Sequence, residues 1–269
     1  MPLDSMPRIG LGTVSDTPDE WTEATRTALE LGYRHIDTAQ MYDNEQYVGA
    51  GIRESAVDRD EIFLATKTVY PDGPDEPDGV DDAIDASLDR LAVDSVELFY
   101  VHWPSEVYEP EIVMPQFQAA VDDGRVDHVG VANFTPELFA EAQELLDVPI
   151  VAHQVELHPL LQQHDLVRHA QEMDHWLVAY CPIARGMVFD VPEIVDVAEK
   201  HDATPAQVSL AWLLSMDNVA VIPKSSDPGH LRENLAAGDL DLDDEDIALI
   251  ESIDRKHRII DPPHGPWNS

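Results

Sequence analysis

Short runs rich in apolar and β-branched residues alternate along the chain with longer segments whose apolar positions recur every three or four residues. Eight runs read as strands: MPRIGLGT, YRHIDTA, EIFLATKT, SVELFYVHW, VDHVGVAN, VAHQVEL, HWLVAYCP and NVAVIPKS. The intervening segments read as amphipathic helices, one of which places Trp21, Ala24, Ala28 and Leu31 on a single face. Three helix starts are legible at Thr17-Pro18, Thr135-Pro136 and Thr204-Pro205, where a hydroxyl can cap orphan amides and proline suits the first helical position. Strands alternating with helices, with no break in composition, predict one α/β domain over residues 1–269, a closed (β/α)8 TIM barrel. The acidic stretch PDGPDEPDG, residues 71–79, reads as a solvated loop on the active rim of such a barrel. DLDLDDEDIALIESID reads as an acid-capped helix, and IGLGT lacks the glycine spacing of a Rossmann turn.

Polar residues at strand ends change the picture from fold to chemistry. Asp37 closes YRHIDTA, Tyr42 follows five residues later, Lys67 closes EIFLATKT, and His102 closes VELFYVHW. Each has a structural alternative: a capping carboxylate, a packed aromatic, a satisfied core histidine. Lys67 is the exception, since an ammonium at the end of so apolar a strand is costly to bury without a carboxylate partner. Together the four supply what is needed to move a proton onto a carbonyl oxygen at the C-terminal rim of a barrel.

Composition narrows the partners. Of 269 residues, 54 are acidic and 16 basic, a formal net charge of -38, which excludes nucleic acid and an anionic membrane surface as expected partners. Only Lys67, Lys200, Lys224 and Lys256 are lysines. A shell this acidic repels itself in dilute buffer and is relieved at molar salt, so a salt-rich cytoplasm is the expected setting. The lone Cys181 excludes an internal disulfide and fits a reducing compartment. No 18-residue apolar run and no basic-then-apolar leader occurs, so neither a membrane span nor a signal peptide is expected.

The segments LGYRHIDTAQMYDNEQYVGAGIRE, IFLATKT and LFYVHWP, followed in order by VGVANF, HQVELHP, YCPIARG and IPKSSDPGHLREN, resemble the aldo-keto reductase family through nearly the whole chain. The short tail and loops look like its compact microbial members, among them the diketogluconate reductases. The resemblance implies NADP-dependent reduction of aldehydes or ketones, such as small carbonyl compounds, sugars or keto acids, to alcohols, without a metal. Tyr42 would be the general acid, Lys67, held charged by Asp37, would lower the pKa of the phenol, and His102 would orient the carbonyl.

By the same resemblance, Asn133 and Gln154 would hold the nicotinamide carboxamide and Tyr180 would stack on the ring, with Thr13, Asp37, Cys181, Pro182 and Ile183 bordering the cofactor. Ala132 and Cys181 stand where relatives often have serines. Lys224, Ser225 and Ser226 would clamp a 2'-phosphate, and Glu233 and Asn234 would lie near the adenine. His230 stands where relatives commonly have an arginine, which weakens the NADP preference and leaves NAD open. Val14, Met41 and Trp103 would line an apolar substrate pocket. A monomer acting on a small-molecule carbonyl substrate is expected. Two other classes remain: a metal-dependent barrel hydrolase, which a chelator would inhibit, and a non-catalytic NADPH-binding relative, against which the complete tetrad argues.

Overall fold

The computed structural model describes residues 6–15, 17–68, 79–105, 108–263 and 265–268. Its strands are β1 (Leu11–Gly12), β2 (His35–Asp37), β3 (Phe63–Thr68), β4 (Val96–Val101), β5 (Val126–Ala132), β6 (Ile150–Glu156), β7 (Trp176–Tyr180) and β8 (Val219–Val221). All are parallel and neighbours in sequence pair in the sheet. The sheet closes on itself: the Gly10 and Gly12 amides donate to the carbonyls of Val221 (2.8 Å) and Pro223 (3.2 Å), and the Val221 amide donates to Arg8 (2.8 Å). The glycines of IGLGT belong to this seam, because a Cβ on Gly12 would stand 2.5 Å from the Ile222 carbonyl oxygen. The fold is the (β/α)8 barrel.

The helices are α1 (Trp21–Leu31), α2 (Glu45–Glu54), α3 (Gly79–Leu91), α4 (Pro110–Asp122), α5 (Pro136–Glu144), α6 (His164–Glu172), α7 (Pro192–His201), α8 (Pro205–Leu214), α9 (Pro228–Ala236) and α10 (Asp244–Glu251). Both α7 and α8 lie between β7 and β8. Two of the three predicted caps form, Thr135 accepting from the Leu138 amide (3.3 Å) and Thr204 from the Gln207 amide (3.2 Å). Thr17 does not cap: the chain first makes a 3-10 turn over Pro18–Glu20, and Ser15 takes the Thr17 amide instead. Asp243 caps α10 in a reciprocal capping box with Asp246. Residues 71–78 of the predicted acidic loop lie outside the described residues. Among those described, no helix is long and apolar enough to cross a membrane.

Period-two alternation divides the strands between two cores. Phe63, Ala65, Leu98, Tyr100, Ala152, Val178, Ala220 and Ile222 pack inside the barrel above Met6. The alternate positions, such as Leu64, Phe99, Val129 and Leu177, face the surrounding helices. Followed upward, the inward series runs from apolar to polar: Phe63, Ala65, Lys67 on β3; Leu98 and Tyr100 on β4, with His102 just past its end; Ala152, Gln154, Glu156 on β6. The apolar lower layers thus form a rigid floor, and side chains on the same strand faces emerge above it as a polar rim.

Candidate active site

The rim encloses a cleft of about 800 Å³. Lys67 lies beneath it, fully buried, with Nζ 2.5 Å from Asp37 Oδ1 and 2.8 Å from the Thr38 carbonyl. Gln154 Nε2 donates to the other Asp37 oxygen at 2.8 Å. Asp37 ends β2, Lys67 stands near the end of β3 and Gln154 near the end of β6, so three strands fix one carboxylate. Tyr42 comes from the 3-10 turn Gln40–Tyr42 above β2, where the backbone reverses through Asp43 at φ 52°. Its ring lies 5.3 Å from Lys67 Nζ and meets the His102 ring edge-on at 5.9 Å.

Burial and charge oppose one another in this group. Burial alone would drive Lys67 toward its neutral form, but the charge of Asp37 and the Tyr42 phenol more than offset it, and its pKa is raised. For Tyr42 burial is the largest influence and raises the pKa. The Lys67 charge acts the other way, so the lysine restrains the rise rather than producing the net lowering expected from the sequence. Burial, aided by Lys67, holds His102 well below the usual histidine range, as a neutral imidazole whose Nδ1 has no hydrogen-bond partner among the described residues.

Around this centre the cleft is lined by Thr13, Val14, Met41, Trp103, Asn133, Tyr180, Cys181, Pro182, Ile183 and Lys224, all anticipated in the sequence. Asn133, in the left-handed region at φ 64°, donates to the His102 carbonyl (3.0 Å) and accepts from the Tyr180 hydroxyl (2.8 Å). An amide has two donors and two lone pairs, so half of its capacity remains. The buried Thr13 hydroxyl has no partner among the described residues. Such unspent polar groups beside an aromatic face and a cation fit a nicotinamide dinucleotide.

Asp37 and Gln154 line the cleft as well, whereas the five remaining anticipated cofactor residues, Ser225, Ser226, His230, Glu233 and Asn234, do not. Ser225 is buried and its hydroxyl accepts the Asp227 amide at 3.1 Å, Ser226 and Glu233 lie beyond the lining, and Asn234 is buried in α9. His230 is 70% exposed, with Nδ1 4.0 Å from Asp227, whose carboxylate also caps α9. An acid that the sequence reading did not single out therefore stands beside His230. Ala132 is buried behind the lining. Conversely, Glu20, Arg185 and Ile260 line the cleft and were not singled out from the sequence. Arg185 lies within the recognised YCPIARG segment, at φ 50° in a bent turn, and that position was the available signal.

Comparison with known proteins agrees with the fold and with the resemblance seen in the sequence. The sequence model of the aldo/keto reductase family matches residues 8–255. The chain is 39% identical over 260 residues to an aldo-keto reductase of Mycolicibacterium smegmatis, covering 95% of this chain and 92% of that protein. It is 36% identical over 261 residues to methylglyoxal reductase DkgB of Yersinia pestis, covering 96% and 97%. The solved structure of a Bombyx mori aldo-keto reductase in complex with NADP superposes with a TM-score of 0.87 at 29% identity, covering 96% of this chain and 92% of that one.

Proposed function

The chain belongs to the aldo/keto reductase family, and we propose that it reduces small aldehydes and ketones to alcohols with a nicotinamide dinucleotide, Tyr42 serving as general acid. The observation that carries the proposal is a buried Lys67–Asp37 pair beneath a cleft-facing phenol and beside a neutral histidine. Reduced nicotinamide, when bound, supplies hydride to the carbonyl carbon. Tyr42 gives its proton to the carbonyl oxygen, and the Lys67 charge stabilises the phenolate left behind. Asp37 keeps Lys67 charged against burial. His102, uncharged, retains an N–H with which to hold the carbonyl oxygen. Val14, Met41 and Trp103 give the mouth an apolar edge that keeps water from the reacting bond.

Thr13, Asn133, Gln154 and Tyr180 would hold the nicotinamide, and the Cys181–Ile183 turn and Lys224 the remainder. Lys224 favours NADPH, while Asp227 and the absence of an arginine at position 230 support a narrow margin over NADH. The name of the methylglyoxal reductase relative supports small oxoaldehydes among the substrates. Tyr42→Phe tests the proposal: turnover should fall by about 10² to 10⁴ while NADPH affinity, read by protein fluorescence, stays near wild type. Undiminished turnover would remove Tyr42 from the mechanism.

A further inference from the structure

Behind the cleft, on the outer face of β6, lies a buried histidine that the mechanism does not use. Ala152 packs inside the barrel and Gln154 reaches Asp37, so His153 between them faces the helices. There it is inaccessible to solvent, with its ring 5.9 Å from that of Phe139 on α5 and 6.1 Å from that of His175, just before β7. Its Nε2 accepts the Phe134 amide at 3.3 Å, which leaves the ring proton on Nδ1, an atom without a hydrogen-bond partner among the described residues. Burial holds His153 well below the usual histidine range, and His175 and His169 nearby act in the same direction, so the imidazole stays neutral and keeps its lone pair.

A dry N–H carries a desolvation cost that an apolar side chain packed on Phe139 would avoid. What the imidazole secures is the chain reversal after β5. Phe134 is buried, and its amide needs an acceptor within the protein. The residue before it is Asn133, in the left-handed conformation at φ 64° that most side chains avoid, with its own amide bonded to the Gln154 carbonyl at 2.9 Å. Successive amides of the turn are thus tied to neighbouring residues of β6, one through the backbone and one through the His153 ring. Held this way, the Asn133 side chain lines the cleft, donating to the His102 carbonyl and accepting from the Tyr180 hydroxyl. His153 itself is not part of the lining.

We propose that His153 is a positioning residue for nicotinamide binding: by accepting the Phe134 amide from behind β6, it aims the Asn133 side chain at the carboxamide of the cofactor. This role rests on the carbonyl-reducing reading, in which Asn133 holds that group. A misaimed Asn133 weakens a hydrogen bond to the cofactor, whereas Lys67 and Asp37 remain paired beneath Tyr42. The effect therefore falls on cofactor affinity rather than on the chemical step.

The test uses the full chain, with NADPH affinity read by protein fluorescence and steady-state kinetics read on methylglyoxal. His153→Leu removes the acceptor and should raise the Kd and KM for NADPH by about three- to tenfold, the scale of one hydrogen bond, with kcat at saturating NADPH within about twofold of wild type. Glutamine can place a side-chain oxygen near the position of Nε2, so His153→Gln should bind NADPH within about twofold of wild type, a rescue that a packing role alone would not give. In an Asn133→Ala background His153→Leu should add less than about twofold, because the histidine acts through that side chain. An unmoved Kd in His153→Leu, an equal loss in His153→Gln, or full additivity with Asn133→Ala overturns the proposal. Should His153→Leu fail to fold, His153→Met, which packs adaptably, takes its place under the same criteria. Wild-type protein that binds neither NADPH nor NADH would overturn the nicotinamide reading itself, a result distinct from intact binding that the variants leave unmoved.

Discussion

Asp37→Asn separates the two effects that set the charge of Lys67. In the wild type, burial is the largest influence on Lys67 and lowers its pKa, and the Asp37 charge at 2.5 Å leads the opposing ones. Asparagine preserves the shape and can still accept one hydrogen bond, but burial then meets only the Thr38 carbonyl at 2.8 Å and the Tyr42 phenol. Breaking a buried pair by removing one partner costs about 3–5 kcal/mol, and the retained hydrogen bond places this variant near the lower figure. Turnover should fall by about 10² to 10⁴, because an uncharged lysine no longer favours loss of the Tyr42 proton.

The pH dependence gives the loss a signature. With its folded pKa raised, the wild-type lysine contributes stability that is fully present below its unfolded value of about 10.4 and is lost only as pH rises above it. In the variant the folded pKa drops below that value, so the unfolded chain binds the extra proton and stability grows with pH. Urea denaturation of both proteins from pH 7 to pH 10 isolates the effect, since other titrating groups cancel in the difference. The gap should be widest at pH 7 and narrow toward pH 10. A gap below about 1 kcal/mol at pH 7, or one that does not vary with pH, would refute the assignment of Asp37 as the group that keeps Lys67 charged.

Other consequences are open to direct measurement. His175, stacked on Phe139 at 4.5 Å with its Nε2 3.2 Å from His169, is pushed down to about 4 mainly by burial. Its depressed pKa means stability is lost as pH falls from about 6.5 toward 4, by up to about 3 kcal/mol; His175→Phe should flatten that part of the denaturation profile, and parallel profiles would contradict it. Raising KCl from 0.1 M to 1 M shortens the screening length from about 10 Å to about 3 Å, so Tm should climb if the acidic shell is salt-adapted, and a flat or falling Tm counts against that. Lys224→Ala should erase most of the preference for NADPH over NADH and His230→Arg should increase it, both read as ratios of kcat/KM; an unmoved ratio in the alanine variant means that the phosphate is bound elsewhere.

Much of the barrel and its rim was legible because the determining signals are local. The alternation of apolar runs and helical periodicity specifies strands and helices, and period two carries Lys67 and His102 to the same face as Ala65 and Tyr100 beneath them. Thr135 and Thr204 cap their helices through residues three positions away. The same spacing failed at Thr17, where a proline-led 3-10 turn displaced the expected cap. Matching by motif placed Ser225 and His230 in the expected cofactor set, and the structure adds their surroundings: the Ser225 hydroxyl accepts the Asp227 amide and the imidazole lies beside the Asp227 carboxylate.

Tertiary structure decided the rest. Whether Tyr42 is raised or lowered depends on how much water its neighbours remove, and no spacing in the sequence reports that. Arg185, Glu20 and Ile260 reach one cleft from the loop after β7, the turn before α1 and the tail, segments that meet only when the sheet closes. The grip of the Glu156 carboxylate on the Ile259 and Ile260 amides, 103 and 104 residues further along the chain, has no sequence signal, because a backbone N–H is common to every residue except proline. A sequence states which groups exist and which strand face carries them. Desolvation, and pairing between distant segments, exist only once the chain has excluded water and closed on itself.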